Sequence, residues 1–89
     1  MEGTTKSGFN FKVDERVLKD WRFTMALSKM ENRGEPMEVL RGMDEMASLL
    51  LGDQMKAFIE HIKAKNGGFA PTEAVIAELK EILEAFPKN

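Results

Sequence analysis

The side chains with catalytic potential are few. A single imidazole, His61, stands beside Glu60, and the chain has no cysteine and no second histidine. Zinc chemistry needs three or four N, S or O ligands, so His61 lacks the company to hold a metal and reads as a rim histidine. Paired carboxylates at Asp44 with Glu45, and at Glu81 with Glu84, are the residue types of general acid and base work. Both pairs fall on polar faces of amphipathic segments, where solvated charge is their ordinary role. Asn66-Gly67-Gly68 is followed by no Gly-Lys-Ser/Thr, so it is a helix stop and not a phosphate cradle. The expectation is a protein that is not an enzyme, with no catalytic residue, no metal and no cofactor.

The elements that would carry these residues are helical. At about 100° per residue, Val13 to Met30 places Val17, Leu18, Trp21 and Met25 on one side and Phe23, Ala26, Leu27 and Met30 on the other. Two apolar stripes require two partners. Trp21 reads first as a core anchor, with an exposed contact as the alternative, and Phe23, Leu27 and Met30 are the candidates for an outward contact. Asp14 suits the N-cap of this first helix, which fades near Glu31 at Asn32-Arg33-Gly34.

Pro36 to Leu51 forms a second helix with an apolar set of Val39, Leu40, Met43, Met46, Ala47, Leu50 and Leu51, and Gly42 on its polar side. Gly52 suits a left-handed C-terminal position and Asp53 the next N-cap, joining the second helix to a third, Gln54 to Lys65, by a tight corner. Phe69 is expected to plug the core edge. Thr72 is expected to cap a fourth helix carrying Val75, Ile76, Leu79, Ile82, Leu83 and Phe86, and Pro87 to stop it. Upstream, Phe9, Phe11 and Val13 alternate with polar residues as in a short strand, and no second strand is visible. That segment either lies as an extended arm across the helices or pairs with another chain. The fold expected is all-α: a small four-helix bundle or orthogonal array with a short extended N-terminal arm, residues 1–8 as a flexible tail and 9–89 as a single helical domain.

Charge limits the partners. Net charge is −2, so there is no cationic excess to displace counterions from a phosphate backbone. Nucleic acid and anionic membrane are therefore poor partners, although a small helical DNA-binding regulator stays as an alternative on the tight corner at Gly52. The run Leu49 to Leu51 is far too short to span a bilayer, and the polar segment Met1 to Gly8 has no apolar signal region, so a cytoplasmic location is expected. A thin core in 89 residues leaves a homo-oligomeric structural module open as well. Six methionines beyond Met1, at 25, 30, 37, 43, 46 and 55, supply apolar surface that adapts to its partner.

The order Phe9-Asn10-Phe11-Lys12-Val13-Asp14, Leu18-Lys19-Asp20-Trp21-Arg22-Phe23, Leu50-Leu51-Gly52-Asp53-Gln54, Gly68 to Pro71, then Glu78-Leu79 and Ile82-Leu83 resembles the tail assembly chaperones of long-tailed phages and prophages, from Phe9 to Phe86. The resemblance implies a small, mostly helical, non-catalytic protein that acts in the host cytoplasm during assembly and is absent from the mature virion. It implies binding to the tape measure protein and recruitment of tail tube protein. The partner-binding residues it and the apolar stripes point to are Asp20, Trp21, Arg22, Phe23, Leu27 and Met30.

Overall fold

The computed structural model describes residues 1–86, which are mostly helical with one small two-stranded sheet. In chain order these are β1 (Glu2–Thr4), β2 (Asn10–Lys12), a 3-10 turn at Glu15–Lys19, α1 (Trp21–Met30), α2 (Pro36–Leu51), a 3-10 turn at Gly52–Gln54, α3 (Met55–Lys65) and α4 (Thr72–Glu84). The chain divides into two compact units, one of Met1–Lys12 with the chain from Asp53 onward, the other of Val13–Gly52. One unit is thus built from both ends of the described chain and the other from its middle.

The middle unit begins with a break that the apolar periodicity did not reveal. The expected long first helix is split: Asp14 caps the 3-10 turn, accepting from Arg16 N–H, and Asp20 caps α1, accepting from Arg22 N–H at 2.8 Å. The Asp20 backbone is extended, so the turn before it cannot run on as α-helix, and the first helical residue is Trp21. From there Phe23 and Ala26 are buried, three residues apart on one face. A connection over residues 31–35 leads to α2, whose Pro36 occupies the first turn where its missing N–H costs nothing. Gly42, expected on the polar face, is buried instead; a Cβ there would stand 2.5 Å from the Ala26 carbonyl oxygen and 2.9 Å from Met30 Cγ. Glycine opposite alanine lets the two helices meet closely. Lys29 Nζ closes the edge of the pair on Glu45 Oε1 at 2.5 Å.

The other unit holds the sheet. Residues 2–4, expected within a free tail, pair antiparallel with β2 in the register Glu2↔Lys12, Gly3↔Phe11, Thr4↔Asn10. The absence of an apolar residue in β1 is explained by Phe11: its ring lies over Gly3, where a Cβ would come within 2.6 Å of Cζ. Thr5 N–H donates to Phe9 O at 2.9 Å, Phe9 N–H donates to Thr5 Oγ1 at 3.1 Å, and Gly8 turns the chain at φ 98°. The Gln54 side-chain amide then covers the outer edge of β2, accepting from Lys12 N–H at 2.9 Å and donating to Lys12 O at 2.6 Å. The expected extended arm is therefore the second strand of a hairpin.

Phe9 packs edge-on against Phe58 with ring centroids 5.2 Å apart, and Phe58, Ile62, Leu79, Ile82 and Phe86 are buried in the same unit. Asp53 does not cap α3, because the 3-10 turn runs directly into it through helical backbone at Gln54. Thr72 is the first residue of α4 and Pro71 holds the N-cap position. Phe69 is 63% exposed and plugs nothing. The stop expected at Pro87 lies outside the described residues. Among the described residues no helix is long and apolar enough to cross a membrane.

Candidate partner-binding groove

The two faces of α1 are the reverse of those expected. Trp21 is 74% exposed and Met25 41%, whereas Phe23 is 4% exposed. The expected core anchor thus stands outside, and Phe23, expected to face outward, is sealed in. Trp21 and Phe23 lie on opposite sides of the helix, so only one of them can face the interior: Ala26 and Met30, on the Phe23 side, meet Gly42 of α2, and Trp21 and Met25 stay exposed. Of the other outward candidates, Leu27 is exposed and Met30 half-buried, its Cγ close to Gly42.

Trp21, Arg22 and Met25 form one wall of an open groove of about 430 Å³, and Asp44, Glu45, Ser48 and Leu49 of α2 form the other. Both walls have one-turn spacing, Trp21 with Met25 and Glu45 with Leu49, so the groove follows the helix axes. Its rim is charged. Asp20 takes Arg22 in a fork, Nε to Oδ1 at 3.0 Å and Nη2 to Oδ2 at 2.9 Å, which fixes the guanidinium beside the indole's own turn. The Arg22 side-chain bonds, with the Arg22 N–H behind them, hold the Asp20 carboxyl down at about 2, against an ordinary 3.8. Asp14 and Arg16 repeat the same Asp-x-Arg arrangement one 3-10 turn earlier, with the carboxyl likewise at about 2.

The geometry of the cap gives each residue of the Asp20 to Phe23 motif its own part: Asp20 starts the helix, Trp21 offers apolar surface, Arg22 braces the cap and Phe23 fills the interior. The α2 wall was not legible in the apolar pattern. Its one signal is Leu49, a large aliphatic residue one turn after Glu45 and beside Ser48, on a face otherwise polar.

His61, Ser7 and Glu78 meet in the unit built from both chain ends. Ser7 Oγ lies 2.9 Å from His61 Nε2 and its hydroxyl donates to Glu78 Oε1. With that proton committed to the carboxylate, Ser7 accepts from His61, the reverse of the polarity by which an imidazole base activates a serine. Lys6 N–H also donates to Glu81 Oε1 at 2.9 Å, so the three bonds fasten the hairpin turn onto α3 and α4. A smaller cavity of about 220 Å³ lies beside this clamp, lined by Ser7, Ile62, Asn66, Ala77 and Glu78 among others. Asp44 with Glu45 line the groove, and Glu84 is exposed. Among the described residues no group of three His, Cys, Asp or Glu side chains is placed to hold a metal ion. No family model, curated protein or solved structure matches this chain.

Proposed function

We propose that this chain is a tail assembly chaperone of the long-tailed phage type, a non-catalytic escort that covers an apolar face of the helical tape measure protein and helps bring tail tube subunits to it. The reading places it in the host cytoplasm during assembly and outside the mature virion. The observation that carries it is Trp21, the only tryptophan, standing 74% exposed over an apolar groove between two helices. An indole so placed exposes a large apolar surface that contributes nothing to its own core, and aromatic anchors of this type dominate binding energies at interfaces. Met25 beside it adapts to an irregular partner.

Helix-in-groove contact is the mode that such a surface supports, with Trp21 and Met25 as apolar anchors and Arg22 and Asp20 at the rim. Phe23 then serves the escort role through stability alone. Co-expression with a tape measure fragment tests the reading. The native chain should keep the fragment soluble, and the double variant Trp21→Ala, Met25→Ala should fail while retaining its helical circular dichroism. Equal rescue by the double variant would remove the groove from the function.

A further inference from the structure

Resting on the docking role just described, we infer that the groove selects a cationic amphipathic helix of the partner, with a Lys or Arg at the edge of its apolar face pairing with Asp44. Among the charges that line the groove, Arg22 is committed to Asp20 and Glu45 to Lys29. Asp44 alone is exposed and has no hydrogen-bond or ion-pair partner among the described residues. The seated helix would shield that carboxylate from water, and an unpaired charge so covered is unfavourable unless the occupant supplies a cation. An acidic helix would add like-charge repulsion at the same place.

The occupant's shape follows from the walls. Trp21 with Met25, Asp44 with Ser48 and Glu45 with Leu49 are each four residues apart, so both walls are ridges along helix axes, and a third helix laid between them packs ridge into groove. A second copy of the chain presenting the same groove is less suited: the cation beside its apolar anchors, Arg22, is already held by Asp20 in a two-bond fork.

The full chain reports its own occupancy, since Trp21 is the only tryptophan. Three tryptophan-free amphipathic peptides of about 18 residues, identical on the apolar face and carrying Lys, Gln or Glu at its edge, are titrated while indole emission is followed. The Lys peptide should shift emission to the blue and bind tightest, the Glu peptide weakest. Asp44→Asn should cut affinity for the Lys peptide by about fivefold and leave the Gln peptide unchanged. Equal binding of all three peptides would overturn the charge selection and leave the docking role standing. No emission change with any of them would overturn both. A blue shift that grows with protein concentration alone, together with dimer sedimentation, would make the occupant a second copy and overturn the inference.

Discussion

Asp20 joins two tasks in one carboxylate, capping the backbone of α1 and holding Arg22 in a fork. Its carboxyl is depressed in the folded chain to about 2 from 3.8, so the unfolded chain takes up the proton first as acid is added. The stabilisation is therefore complete above about pH 4 and is lost as pH falls through about 2. Urea denaturation across that interval should show the advantage of the native chain over Asp20→Ala shrinking toward acid; an advantage that stays constant would contradict the assignment. Neighbouring residues make a second contrast. Phe23→Ala should lower stability by about 3–5 kcal/mol, the usual loss for a sealed phenylalanine, whereas Trp21→Ala should change it by less than about 1 kcal/mol. Thermal melts of the two variants check this, and a large loss at Trp21 would return the indole to the core.

At the scale of elements, close contact rests on two glycines. Gly3 accepts the Phe11 ring and Gly42 the Ala26 carbonyl. Alanine at an exposed helical glycine stabilises by about 1 kcal/mol, yet at Gly42 the added methyl meets backbone oxygen at 2.5 Å. Gly42→Ala should therefore destabilise, by about 1–3 kcal/mol as overpacking does; a rise in melting temperature would show that α1 and α2 do not meet there. The α2 span, Pro36–Leu51, was legible in the sequence because proline, an apolar stripe and a positive-φ glycine all mark it. The end of α3 was legible from its glycines. The division of the first helix was not, since its apolar pattern continues through Asp20 and only the repeated Asp-x-Arg betrays two caps. Strand β1 was hidden for a similar reason: a strand that pairs through glycine and serves as a cover for a phenylalanine carries no apolar alternation of its own.

For the whole molecule, the surplus of apolar surface on α1 was readable, and the side that stays outside was not, because periodicity separates the two stripes without saying which of them meets Gly42 of α2. The proposed function then rests on one of the two units. The middle unit contains the groove, Trp21 and Asp44, while the unit built from both chain ends spends His61, Ser7 and Glu78 on fastening its own hairpin. Chemical-shift mapping of the full chain with a tape measure fragment tests this division most directly. Shifts should concentrate on the Trp21 indole, Met25, Ser48 and Leu49, with the amides of β1, β2, α3 and α4 little changed; shifts centred on the hairpin and α4, with the indole unmoved, would contradict it.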